Sequence, residues 1–326
     1  MKAKTSEKII EYLSKNTQAS GKELTVHLET ITSRAVRKQL KNLFEKGYIK
    51  KIGRPPKVYY TLAAKKKDIK NVAVDKNVFN VINKRYLFIS PNGEAKKGWE
   101  GFLLWCNKTK QNPIKTAHGY IKTLKKFDSL KKDNLIDGMP KMKRTFSYVY
   151  LDKLFYLDFY SIERFGKTKL GQMLLYAKQS QNVSLIRDLI AEIKPKIYSV
   201  IGKYNIDGVL FVPPTVKREV QFMKVFEEQL KLPVKLLSVT KAKTEIIIPQ
   251  KTLSRLDDRI ENVKQTIIVD EKARYKNILL IDDAVGSGAT LNEIAEQIKN
   301  KNLARKKVIG LAITGSFKGF DIISEV

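Results

Sequence analysis

Cysteine is almost missing from this chain. Cys106 stands alone among 326 residues, which excludes an internal disulfide framework and any zinc site built from cysteines. Histidine is nearly as scarce, and neither His27 nor His118 has a partner at metal-ligand spacing. Acidic residues are short as well: 33 Asp and Glu face 63 Lys and Arg, for a formal net charge of +30. No stretch approaches the ~20 apolar residues of a membrane span. The opening "MKAKTSEKIIEYLSKN" is charged and periodic, without the apolar run of a signal peptide. No membrane partner and a cytoplasmic setting are therefore expected. What is present is a 43% hydrophobic content, enough to bury a core. A chain of this length predicts two or three domains at roughly 100–200 residues each.

So large a positive excess suits a polyanionic partner. A lysine-rich proteome raises the charge too, so its position decides. Residues 31–70 hold 13 Lys and Arg against only Glu45 and Asp68. Three helices are predicted up to that point, with Ser6, Ser20 and Ser33 as N-caps. Ile9, Ile10 and Leu13 form one apolar stripe, and Leu24 and Leu28 lie a turn apart. In the third helix Val36, Leu40, Leu43 and Phe44 are assigned to a core, Gly47 closes the helix, and Arg34, Arg37, Lys38 and Lys41 take the other face. Two strand-like runs, 48–52 and 58–62, then flank the stiff basic turn "GRPPK" with Arg54 and Lys57.

A helix pair followed by a basic hairpin resembles the winged helix-turn-helix family over residues 5–62, most specifically in "GRPPKVYY". The resemblance implies double-stranded DNA as partner, with Ser33, Arg34, Arg37, Lys38 and Lys41 of the third helix in the major groove and Arg54 and Lys57 on the wing. Winged helices commonly work as dimers, so a homodimer is expected. The alternative is a winged helix used for protein contacts, with a solvated basic face.

A polar stretch at 63–70 reads as a linker, giving domains at 1–68, 69–145 and 146–326. The middle one is mostly helical, with two helices separated near Pro113, and carries no motif. Its Trp99, Phe102, Leu103 and Trp105 read as core, as does Cys106. Beyond 146, strands alternate with helices. The fold class is α/β, a mainly parallel sheet flanked by helices with ligands at the strands' carboxyl ends.

Within that pattern "ILLIDDAVGSGATLNEI" (278–294) sets two acids and a glycine-rich turn between a buried strand and a helix. Gly286, Ser287, Gly288, Ala289 and Thr290 form a turn whose bare amides and helix N-terminus favour a phosphate. Asp282 and Asp283 suit another part of the same ligand, since vicinal hydroxyls donate to carboxylate oxygens. There is no Gly-Lys-Ser/Thr of a P-loop, and the third glycine of a dinucleotide fingerprint is missing.

Strand, acid pair, loop and helix in this order resemble the phosphoribosyl pyrophosphate (PRPP) motif of type I phosphoribosyltransferases, a likeness covering about 150–326. It implies PRPP with Mg²⁺ as ligand. It also implies a pyrophosphate loop at 211–222, with Pro214, Thr215, Lys217 and Arg218 as contacts. "IPQKTLSRLDDRIENV" (248–263) is similar to a mobile segment of the ComF-like competence branch, with Arg255 and Arg259 available to cover phosphates. Phe317 and Phe320 follow the last strand, where the resemblance implies an aromatic stacked on the base; Phe320 is the candidate, with a place in the core as the alternative. Two departures stand out. The four-cysteine ribbon of ComF-like proteins is absent, and Gly286 stands where purine-salvage relatives carry an acid able to act as a general base. A winged helix joined to this fold is similar in layout to the purine operon repressor, which binds PRPP without catalysing transfer. The expected function is thus a nucleotide-responsive regulator. A working phosphoribosyltransferase and a competence-type DNA-handling protein are the alternatives.

Overall fold

The computed structural model describes residues 4–63, 74–214, 216, 218–242, 245–246 and 248–316. Thr215, Lys217, Phe317 and Phe320 lie outside the described residues, as does most of the expected linker. The chain divides into two compact units, Met1–Ala73 and Val74–Val326.

The first unit holds helices α1 (Thr5–Lys15), α2 (Gly21–His27) and α3 (Ser33–Glu45). Strands β1 (Ala19–Ser20), β2 (Ile49–Arg54) and β3 (Lys57–Leu62) form an antiparallel sheet of order β1-β3-β2. Ser20 caps α2 as the sequence predicts: its hydroxyl accepts the Glu23 amide at 3.2 Å while the Glu23 carboxylate accepts the Ser20 amide at 2.6 Å. The other two caps differ. Lys4, not Ser6, precedes α1, and its amide donates to Glu7 at 3.0 Å. Thr32 caps α3 through the Ala35 amide at 3.3 Å, which makes Ser33 the first helical residue. At the far end Gly47 adopts φ +71°, its amide reaches the Phe44 carbonyl, and the Tyr48 amide reaches Leu43, a Schellman closure.

Ile9, Leu13, Leu24, Leu28, Val36, Leu40 and Leu43 are buried together. Phe44 is not; it is 50% exposed, because it lies about 100° round the helix from Leu43 and off the Val36–Leu40–Leu43 stripe. The β2–β3 ladder runs out to the Arg54–Lys57 pair, so the turn is Pro55–Pro56 alone. Gly53, at φ +81°, is required there, since a Cβ would run into the Lys57 carbonyl.

The second unit opens with α4 (Lys76–Arg85), the hairpin β4 (Leu87–Ile89) and β5 (Ala95–Lys97), α5 (Gly98–Lys108) and α6 (Pro113–Asp128). Tyr86, Phe102 and Tyr120 meet edge-on or tilted in their core, and Cys106 is buried beside them. A second hairpin, β6 (Lys131–Lys132) and β7 (Leu135–Asp137), and α7 (Met139–Thr145) follow. Residues 74–145 thus belong to the same compact unit as the rest and donate two strands to its sheet.

The remaining elements alternate: β8 (Lys153–Phe159), α8 (Lys169–Ser180), α9 (Val183–Lys203), β9 (Gly208–Phe211), α10 (Phe222–Leu230), β10 (Lys235–Leu236), β11 (Val239–Lys241), α11 (Leu256–Thr266), β12 (Ile267–Val269), β13 (Tyr275–Val285), α12 (Ala289–Asn300) and β14 (Ala304–Gly315). Seven strands make one sheet in the order β10-β9-β13-β14-β8-β7-β6, parallel from β10 to β8 and antiparallel in the last hairpin. This is an α/β fold with a large, mostly parallel central sheet flanked by helices. Period-two alternation divides β13 between two cores. Ile278 and Leu280 pack on the side of α12, Leu279 and Ile281 on the side of α8, α9 and α10. Among the described residues no helix is long and apolar enough to cross a membrane.

Candidate functional site

From β9 the chain moves outward to β10, then returns to β13 on the other side of β9. The two central strands therefore send their connections in opposite directions. In a parallel sheet such a reversal leaves a crevice at the carboxyl ends, where ligands bind. The register fixes its walls: Ile281 of β13 stands beside Phe211 of β9, and the Val212 amide donates to the Ile281 carbonyl at 2.9 Å. Asp282 and Asp283 follow on one side, Pro213 and Pro214 on the other.

A cleft of about 180 Å³ occupies this crevice. All seven residues from the acid pair and its turn (Asp282, Asp283, Gly286, Ser287, Gly288, Ala289 and Thr290) line it, joined by Pro214 and Arg218 from the loop after β9. Residues far apart in the chain arrive as well: Lys178 from α8, Arg259 from α11 and Gln250 from the turn before α11. Arg255, the N-cap of α11, is exposed and does not line the cleft.

The two carboxylates have different surroundings. Asp282 is half-buried and its carboxylate accepts the Asp283 amide at 2.8 Å. Burial first, then the charge of Asp283, holds the Asp282 carboxyl well above the usual range; the Lys178 ammonium draws it partly back. Asp283 is paired directly, its Oδ2 2.6 Å from Lys178 Nζ.

Beyond the acids the chain enters α12 through Gly288, at φ +89°, where an added Cβ would collide with the Met142 sulfur. Gly288 has no side chain to cap the helix, and no acid occupies its first turn. The Ala289 amide donates to the Ser287 hydroxyl at 3.3 Å, and among the described residues the N-cap supplies no side-chain hydrogen bond to the first turn. Such an end suits an anion.

Across the cleft, the loop after β9 is fastened to the end of α8. Arg218 donates to the Lys178 carbonyl, the Val220 amide donates to Gln181 at 2.9 Å, and Gln221 donates to the Val216 and Arg218 carbonyls. After this bonded loop α10 begins at Phe222. The segment 248–263 is likewise braced from within. Gln250 donates to the Arg259 carbonyl and to Asn262, each at 3.0 Å, and Arg259 Nε donates to the Leu253 carbonyl at 2.8 Å. Arg259 is thereby buried while still reaching the cleft, and burial lowers its pKa from the ordinary value.

In the first unit Arg34, Arg37, Lys38 and Lys41 are all exposed on α3, and Ser33, Arg54 and Lys57 are exposed as well. Lys178 is the cleft residue that motif reading misses. Its signal is a lysine four residues after Leu174, on the helix's apolar stripe, where a charge needs a partner.

No protein-family model matches the chain, and a search among curated proteins finds no relative.

Proposed function

We propose that the second unit is a PRPP-binding domain of the type I phosphoribosyltransferase fold. The first unit is then a winged helix-turn-helix that binds duplex DNA, and the protein is a nucleotide-responsive regulator acting as a homodimer. One observation carries the reading: an acid pair and an uncapped, glycine-entered helix end line a single cleft at the sheet's reversal point. A ligand with a vicinal diol and a phosphate fits both at once. Asp282 and Asp283 would accept from the ribose hydroxyls, the turn Gly286–Thr290 would hold the 5′-phosphate, and Arg218 and Arg259 would face the pyrophosphate. Mg²⁺ would arrive on that pyrophosphate; among the described residues no three His, Cys, Asp or Glu side chains gather as a metal site.

The regulatory part requires PRPP to shift DNA affinity by its differential affinity for two states of the protein. A DNA-binding assay titrated with PRPP tests it. The wild type should shift, whereas Asp282→Asn with Asp283→Asn should bind DNA unchanged at every PRPP concentration. An unshifted wild type at saturating PRPP refutes regulation.

A second reading is an active transferase. It is favoured by two guanidinium groups lining the cleft, which would stabilise departing pyrophosphate by orientation and charge even with Gly286 in place of a base. Pyrophosphate release across a panel of nucleobases separates the two readings.

A further inference from the structure

Three segments meet at Lys178. Its ammonium lies 2.6 Å from Asp283 Oδ2, and both side chains are largely buried, at 16% and 15% exposure. Its carbonyl accepts from Arg218, in the loop after β9, and three residues on Gln181 accepts the Val220 amide of the same loop. Lys178, Arg218 and Asp283 all line the cleft. The ammonium therefore sits on an acid that would take a sugar's hydroxyls, while the backbone of the same residue anchors the loop that would face its pyrophosphate.

This position sets an electrostatic condition on any guest. A neutral diol that takes Asp283 from Lys178 leaves an ammonium without its counter-charge in a largely desolvated place, which is costly. A diol that brings an anion beside the β9 loop gives the ammonium a new partner in the same step. A phosphate on the α12 turn is matched by that turn's own amides, whereas the β9 loop is the segment bonded to Lys178 itself.

We infer that Lys178 makes the cleft select a sugar phosphate that also carries a pyrophosphate at the reacting carbon over one with only the diol and the 5′-phosphate. The inference rests on the PRPP reading. In the resting protein the ammonium sits on Asp283; in the complex it turns to the pyrophosphate. Nothing covalent changes, and no proton moves.

Calorimetry with two probes tests it: PRPP with Mg²⁺, and ribose 5-phosphate with Mg²⁺. The wild type should prefer PRPP. Lys178→Gln, close in length but uncharged, should narrow that preference at least about tenfold, the scale of one charge-assisted hydrogen bond. Lys178→Arg should keep it. Equal weakening of both probes in Lys178→Gln would mean a merely structural lysine and overturn the inference. Failure of the wild type to bind either probe overturns the PRPP reading and the inference with it. Should Lys178→Gln not fold, nuclear magnetic resonance of reductively ¹³C-methylated wild-type lysines decides. The Lys178 signal, assigned by its loss in Lys178→Arg, should move with PRPP and stay with ribose 5-phosphate; movement with both contradicts the inference.

Discussion

Asp282 is held where burial outweighs its hydrogen bond to the Asp283 amide and the nearby Lys178 charge. Its carboxyl is raised because burial and the neighbouring Asp283 disfavour the charged form. The unfolded chain ionises this group as pH rises past about 4, while the folded chain keeps its proton longer. The unfolded state is therefore favoured progressively across that window, and above the folded pKa the full penalty persists. Asp282→Asn, never charged, should be more stable than the wild type at neutral pH, by at least about 1.4 kcal/mol, the worth of one pKa unit. The gain should vanish below about pH 4, where both side chains are neutral. Thermal melts over a pH series check this; a variant less stable at neutral pH would show that Asp282 supports the fold instead of burdening it. Such a burden is what a residue kept for binding carries.

One scale up, the strand–turn–helix of β13 and α12 depends on the left-handed residue between them. Gly288→Ala forces a Cβ both into that backbone region and against Met142, so it should cost at least about 1 kcal/mol in denaturant melts. Measured against Met142→Ala alone, which empties a fully buried site, Gly288→Ala should still cost the backbone part; no cost in that background would mean that the backbone conformation itself carries no strain. This element was legible in the sequence almost to the residue, because every signal for it is local: Ile278 to Ile281 for a buried strand, the acids at its end, then glycine and a periodic helix. The three helices and hairpin of the first unit were legible for the same reason. Elements governed by tertiary bonds were not. Arg218, Val220 and Gln221 stand in a helical-looking run but bond to the Lys178 carbonyl, to Gln181 and to the loop's own carbonyls, and β6 and β7, with two and three residues, are too short to show alternation. Leu256, Ile260 and Val263 repeat at helical spacing inside the segment that resembles the mobile ComF-like stretch, and they form α11. Lys178 escaped because its partner lies 105 residues further on.

For the molecule as a whole, a net charge of +30 and two compact units divide the work that the sequence suggests. Arg34, Arg37 and Lys41 project from one exposed face of α3, away from the buried Val36–Leu40–Leu43 stripe. If that face meets duplex DNA, the joint replacement of Arg34, Arg37 and Lys41 by alanine should weaken binding. It should also reduce the slope of log affinity against log salt by about three, one for each lost phosphate contact. An unchanged slope would assign the DNA contact to another basic surface.

Every small-molecule role considered for the second unit begins with one event, capture of PRPP in the crevice between β9 and β13. Calorimetry of the full chain with PRPP and Mg²⁺, beside the Asp282→Asn and Asp283→Asn double variant, measures it directly. Saturable one-site binding to the wild type, absent from a double variant that melts cooperatively, is the expected result. No binding to the wild type, or equal binding to both proteins, would contradict the assignment of the acid pair and its turn as a sugar-phosphate site.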